Sequence, residues 1–147
     1  MKAVILAGGK GTRLRPYTNI VPKPLMPIGD KAILEIILDQ LIRAGFEEIH
    51  LAVGYQADYI KTFLNGKLKY NNIIKFSHEK EPLSTAGPIK LVGSSLNEDF
   101  LVINGDTLTD LSYSDFIKFH KASGNIGTVA IYKKSISMDL GILKLDE

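Results

Sequence analysis

Glycines and permanently charged side chains crowd together near the start of the chain, in Leu6-Ala7-Gly8-Gly9-Lys10-Gly11-Thr12-Arg13-Leu14. Glycine lets a turn come close to an oxyanion and aim its backbone N–H groups at it. Arg13 adds a planar, always-charged fork that suits phosphate oxygens. The chemistry these residues allow is the holding of phosphate groups. The segment is not a Walker A loop, because no Gly-Lys-Ser/Thr follows four spacer residues. Nor is it a dinucleotide fingerprint, since the third glycine is missing and no helix follows directly.

Ten residues after Arg13, Lys23 sits between Pro22 and Pro24. Flanking prolines restrict the backbone on both sides, which limits where the ammonium can go. A catalytic cation gains from that restriction and a surface lysine does not need it. Between Met1 and Gly29 the charged residues are Lys2, Lys10, Arg13, Arg15 and Lys23, and the first acid is Asp30. The formal net charge of the whole chain is only +2. A locally cationic segment in a near-neutral protein points to a small anionic ligand and away from nucleic acid or a membrane surface.

The pair of segments Leu-Ala-Gly-Gly-Lys-Gly-Thr-Arg-Leu-Arg-Pro-Tyr-Thr (6–18) and Pro-Lys-Pro-Leu-Met-Pro-Ile (22–28) closely resembles the signature of the sugar-1-phosphate nucleotidyltransferases, the NDP-sugar pyrophosphorylases. Two further stretches fit the resemblance. Glu79-Lys80-Glu81-Pro82-Leu83-Ser84-Thr85-Ala86-Gly87-Pro88 looks like the base-reading loop of the mannose-1-phosphate guanylyltransferase branch, and Asn104-Gly105-Asp106 looks like a strand-end aspartate that holds Mg²⁺. The resemblance implies that a sugar 1-phosphate attacks the α-phosphorus of a nucleoside triphosphate in line, giving an NDP-sugar and pyrophosphate. It also implies roles. Arg13, Lys23 and Asp106 are the expected catalytic residues, with Asp106 as metal ligand. Leu6, Ala7, Gly8, Gly9, Gly11, Thr12, Arg13, Glu79, Pro82, Ser84 and Thr85 are the expected nucleotide contacts. Nucleoside triphosphate and sugar 1-phosphate are the expected partners, and a homo-oligomer is left open.

The sequence departs from the family in two places. Ser84 stands where guanylyltransferases usually carry glycine, which affects the approach to the base. Family enzymes are also usually longer: the later lysine that grips the sugar phosphate and the second metal aspartate have no counterpart in the 147 residues. The expectation is therefore the nucleotide-binding, N-terminal part of a nucleotidyltransferase domain, 1–147, as a truncated gene product, an expressed segment or a natural short homologue. A nucleotide-binding module without turnover is the alternative of a different class, and a dinucleotide-binding oxidoreductase domain is a third.

The elements that must position these residues follow from the hydrophobic pattern. Lys2–Ala7, Glu48–Val53, Ile73–Ser77 and Phe100–Asn104 are short apolar, β-branched runs and read as buried strands. Gly127–Tyr132 and Leu140–Leu145 read as two more. Ala32–Ala44 has a helical stripe at Ile33, Ile36, Ile37, Leu41 and Ala44 and stops at Gly45. Helices are also expected over Gln56–Leu64, over Ala86–Ser95 with Pro88 in its first turn, and from Ser112-x-x-Asp115 to Ser123.

Alternating strands and helices predict an α/β fold, a three-layer α/β/α arrangement with a mostly parallel central sheet, Rossmann-like in the resembling family. Ligands in such folds bind beyond the carboxyl ends of the strands. Four turns follow predicted strands: the Gly8 loop, the Gly54 turn, the Glu79–Thr85 loop and the Gly105-Asp106 turn. The stretch from Gly8 to about Lys31 lacks regular structure but holds three prolines in Pro22-Lys23-Pro24-Leu25-Met26-Pro27, and reads as an ordered functional loop.

The other chemistry-bearing residues read as structural. His50, His78 and His120 lack metal-ligand spacing, and Asp110 reads as a turn residue. The chain has no cysteine, so disulfides and thiolate metal sites are excluded. No apolar run approaches the roughly 20 residues of a membrane span, and Met1–Ala7 is too short for a signal-peptide core. The reading is a cytoplasmic protein.

Overall fold

The computed structural model describes residues 1–79, 81, 83–137 and 141. Its centre is β1 (Lys2–Ala7), whose Ala3, Val4 and Ile5 have no exposed surface. A strand buried on both faces loses the in–out alternation and reads as a continuous apolar run. β1 pairs in parallel with β4 (Glu48–Val53) on one side and β6 (Phe100–Asn104) on the other, and β4 pairs in parallel with β5 (Ile74–His78). The sheet order is β5-β4-β1-β6. Counting these four strands along the chain, this is the 3-2-1-4 order of a doubly wound fold.

Three helices connect the strands: α1 (Ile33–Arg43), α2 (Ala57–Asn65) and α3 (Gly87–Val92). The first two crossovers step one way across the sheet and the third returns past β1. Right-handed crossovers then put α1 and α2 on one face and α3 on the other, which gives the three expected layers. The reversal occurs between β1 and β6, so the crevice at their carboxyl ends is the place where such a sheet takes its ligand.

α1 buries Leu34, Ile37, Leu38 and Leu41 completely, at i, i+3, i+4 and i+7. Of the expected stripe, Ile37 and Leu41 are buried as read, while Ile33, Ile36 and Ala44 are half-buried and Leu34 and Leu38 fill the core instead. Apolar residues occupy most of the helix circumference, so periodicity alone leaves its rotation loose. Polar contacts fix it. Glu35 accepts from the Ala32 backbone N–H (3.2 Å) and from Lys67 Nζ (2.6 Å). Asp39 accepts from Lys69 (2.8 Å), Lys31 (3.2 Å) and the buried Tyr70 hydroxyl (3.0 Å). Burial pushes both carboxyls up, but the lysine partners outweigh it and hold each below its ordinary value.

The connection from Gly8 to Lys31 is built from three short 3₁₀ turns, Thr12–Leu14, Tyr17–Asn19 and Lys23–Leu25. A two-stranded antiparallel ribbon, β2 (Pro27–Ile28) with β3 (Lys31–Ala32), follows them. The buried Thr18 hydroxyl donates to Gly11 O (3.0 Å), and Gln56 Nε2 donates to Asn19 O (3.1 Å), tying the loop to itself and to the start of α2. The helix expected over Ala86–Ser95 is shorter: α3 ends at Val92 and a 3₁₀ turn takes Gly93–Ser95.

The chain divides into two compact units, Met1–Tyr113 and Ser114–Glu147. The second holds nearly all of α4 (Tyr113–Ser123), which Gly124 ends at φ 64°. The strand expected at Gly127–Tyr132 is not formed. Those residues carry no regular structure, and Val129, Ile131 and Tyr132 are exposed. A strand needs a neighbour for its backbone groups, and among the described residues this segment has none. The strand expected at Leu140–Leu145 falls, apart from Gly141, outside the described residues. No helix among the described residues is long and apolar enough to cross a membrane.

Candidate active site

Parallel pairing brings the carboxyl ends of all four central strands to one rim. Each hands the chain to a turn there. After β1 comes Gly8, whose carbonyl accepts from the Tyr55 N–H beyond β4 (3.2 Å). After β6, Gly105 donates its N–H to Leu6 O (2.8 Å) and sets Asp106 beside the opening. After β5, Glu79 donates its N–H to Val53 O (2.9 Å), extending the strand by one bond. The Glu79 carboxylate reaches across β4 to Gly8, where a Cβ would overlap it. Glu79 Oε2 also accepts from the Leu83 N–H (3.3 Å), closing the turn below α3.

Gly11 meets two requirements at once. Its φ is 59°, in the region that penalises any side chain. A Cβ there would also lie 2.9 Å from Thr18 Cγ2 and 3.3 Å from Lys23 Cβ. The close approach packs the stem of Lys23 against the glycine loop. Pro22 and Pro24 are buried, and Leu25 N–H donates to Pro22 O (2.8 Å), so the base of the Lys23 side chain is fixed. Its ammonium pairs with Asp106 Oδ2 although 83 residues separate them. Both side chains keep partial access to solvent, 28% for Lys23 and 32% for Asp106.

These elements enclose a cleft of about 560 Å³. It is lined by Leu6, Ala7, Gly8, Gly9, Gly11, Thr12, Arg13, Lys23, Glu79, Ser84, Thr85 and Asp106, all of them residues singled out in the sequence. Pro82, the remaining one, lies outside the described residues. Leu14, Pro24, Leu83, Pro88 and Asn104 also line the cleft and were not singled out. Each lies within three residues of one that was, so the motifs marked the segments and the sheet decided which side chains face inward. The Gly54 turn packs behind Gly8 and does not reach the cleft. Ser84 has φ 60°, a left-handed conformation uncommon for a residue with a Cβ.

Among the described residues the cleft holds two cations, Arg13 and Lys23, and two carboxylates, Glu79 and Asp106. Among the described residues no group of three or more His, Asp or Glu is placed to hold a metal by itself. His50 is buried on β4 against Glu48 (2.6 Å), and His120 Nδ1 meets Thr128 Oγ1 (2.8 Å), so both have structural partners. The Asp106 carboxylate, placed beside the cations Arg13 and Lys23 in this cleft, suits Mg²⁺, which keeps its waters and binds through one or two carboxylates plus substrate phosphates.

The sequence profile of the nucleotidyl transferase family matches residues 2–147. The chain belongs to that family. Among its curated relatives, mannose-1-phosphate guanyltransferase beta-B of Xenopus laevis is 42% identical over 97% of this chain. Mannose-1-phosphate guanyltransferase of Hypocrea jecorina is 41% identical over the same share. The chain spans 41% and 40% of the lengths of these two nucleotidyltransferases.

The crystal structure of HddC from Yersinia pseudotuberculosis complexed with GMP-PN superposes with a TM-score of 0.72 at 38% identity, covering 81% of this chain and 53% of that one. A putative glucose-1-phosphate thymidylyltransferase from Bacillus anthracis shares the fold at 23% identity, with a TM-score of 0.73, covering 83% and 50%. The mostly parallel central sheet expected from the sequence is thus shared with these solved structures.

Proposed function

We propose that the chain is the nucleotide-binding part of a sugar-1-phosphate nucleotidyltransferase, taking a guanine nucleotide and mannose 1-phosphate. The observation that carries the reading is the convergence of the glycine loop, Arg13, Lys23 and Asp106 on one cleft at the switch point of the sheet. In-line transfer to the α-phosphorus asks the protein for alignment and charge neutralisation more than for proton transfer. Arg13 grips the triphosphate and the charge that builds on the leaving pyrophosphate. Lys23 neutralises the reacting phosphates. Asp106 would hold Mg²⁺, and the ion would supply Lewis-acid polarisation of the phosphoryl oxygens.

Glu79 supports the choice of base. A carboxylate only accepts hydrogen bonds, and guanine is the base whose pairing edge offers two adjacent donors, N1–H and the N2 amino group. Adenine and cytosine offer one donor beside an acceptor, and uracil a single N–H between two carbonyls. Leu83 and Pro88 supply apolar wall beside that carboxylate.

The test is pyrophosphate release from a panel of triphosphates and sugar 1-phosphates. Release with GTP and mannose 1-phosphate above all other pairs supports the reading; release with none, in spite of nucleotide binding, favours a binding module without turnover. The active enzyme, whether this chain or a longer one, works on small molecules, with neither nucleic acid nor membrane required.

A further inference from the structure

We propose that Lys23 masks the metal-binding carboxylate of Asp106 until a triphosphate arrives, so that divalent cation and nucleotide bind as a coupled pair and not independently. The inference rests on the nucleotide-transfer reading above and concerns how that same site fills.

The geometry is that of a cation already seated where a metal would go. The Lys23 ammonium pairs with Asp106 Oδ2 in the cleft. The backbone beneath the ammonium cannot withdraw: Pro22 and Pro24 are buried and the Lys23 Cβ is packed against Gly11. Only the four-carbon arm is free to swing, and an ammonium on such an arm can change partners without moving the chain. Glu79, the other carboxylate that lines the cleft among the described residues, accepts from the Leu83 N–H through Oε2 and lies against Gly8.

Charge then dictates the order of events. A dication entering alone must expel the ammonium from Asp106 and leave two like charges side by side in a partly buried cleft. A triphosphate entering alone draws Lys23 away and faces a bare Asp106 carboxylate. When both enter, the ammonium would move to phosphate oxygen and the Asp106 carboxylate would be free to hold the metal. Each newly freed charge finds a partner only in the joint case. Favourable binding of each ligand therefore depends on the other, and the dependence is reciprocal.

The test is a titration of the full chain with Mn²⁺, reading free ion by electron paramagnetic resonance, with and without a non-hydrolysable GTP analogue. After subtraction of the Mn²⁺ held by the analogue alone in protein-free solution, wild-type protein is expected to bind Mn²⁺ at least about tenfold more weakly without the analogue than with it, a ratio within the usual range for coupled sites. Lys23→Met should bind Mn²⁺ at least about tenfold more tightly than wild type in the absence of nucleotide, and Asp106→Asn added to it should abolish the gain. Lys23→Arg should behave like wild type, because guanidinium still clamps the carboxylate. Thermal melts followed by circular dichroism verify that each variant is folded.

Equal Mn²⁺ affinity of wild type and Lys23→Met would overturn the masking while leaving the nucleotide reading intact. So would wild-type protein that binds Mn²⁺ equally well with and without the analogue, whatever the variants do. Failure of wild type to bind the analogue under any metal condition would instead sink the nucleotide reading, and the masking with it.

Discussion

The carboxylate of Glu79 rests on the α-carbon of Gly8, bridging the ends of two strands, β5 and β1, that β4 holds apart. Any side chain at position 8 would push it away. The turn that ends the central strand and the loop proposed to read the base are therefore one unit, and a change in either is felt by the other.

Glu79→Gln replaces an acceptor pair with one acceptor and one amide donor. Preference for GTP over ATP should fall by roughly 5- to 150-fold, the range that corresponds to losing one matched bidentate contact to a base at roughly 1–3 kcal/mol. Competition binding with the two triphosphates checks it, and an unchanged ratio would remove Glu79 from the base site.

Arg13→Ala removes an exposed side chain that lines the cleft. Turnover should drop by about 10²–10³, the usual cost of one group that stabilises transition-state charge. The denaturation midpoint should barely move, since exposed substitutions stay within about 0.5 kcal/mol. Steady-state kinetics beside a urea melt separate the two; a large stability loss with normal turnover would refute the assignment.

Ser84→Gly relieves a left-handed backbone at φ 60°. Relief of that strain is worth roughly 1–2 kcal/mol. The extra freedom glycine brings to the unfolded chain takes back about 0.4–1 kcal/mol. A small net gain in urea resistance is expected, together with an altered fit to the base. A destabilised variant would show that the serine hydroxyl matters more than the backbone.

Glu48 lies among Lys75, His50 and Lys2 at the amino ends of the strands. Its hydrogen bonds to Lys75 and then His50 hold its carboxyl down to about 2. A carboxyl with a depressed folded pKa stabilises the fold fully above its unfolded value, and the contribution disappears as pH falls toward the folded one. Acid unfolding should therefore steepen between about pH 4.5 and 2. Glu48→Gln should flatten that limb of the stability profile and leave the cleft's ligand binding unchanged near neutrality.

The four central strands could be read from the sequence because each is a short β-branched or aromatic run closed by a turn. Their order could not be, because parallel neighbours are chosen by crossovers and not by local spacing. The same division holds in the cleft. Residue types marked Arg13, Lys23 and Asp106 one by one, but the pairing of Lys23 with Asp106 depends on β6 lying beside β1. The rotation of α1 escaped periodicity because Ile33, Ile36 and Leu34 compete for one face, and two of the lysines that settle it, Lys67 and Lys69, come 32 and 30 residues after their partners Glu35 and Asp39. Gly127–Tyr132 has the residue types of a strand, but no described neighbour supplies its hydrogen bonds.

β1, with Ala3, Val4 and Ile5 sealed on both faces and both edges paired, is the root from which the glycine loop springs. Its amides should rank among the slowest in the chain to exchange with heavy water, opening only when the whole sheet opens. The mouth of the cleft is thus prepared before its ligand comes, and affinity for one triphosphate over another reflects contacts rather than a cost of becoming ordered. Warming should not erase the anion grip ahead of the sheet: loss of circular dichroism and loss of nucleotide uptake should trace superimposable curves.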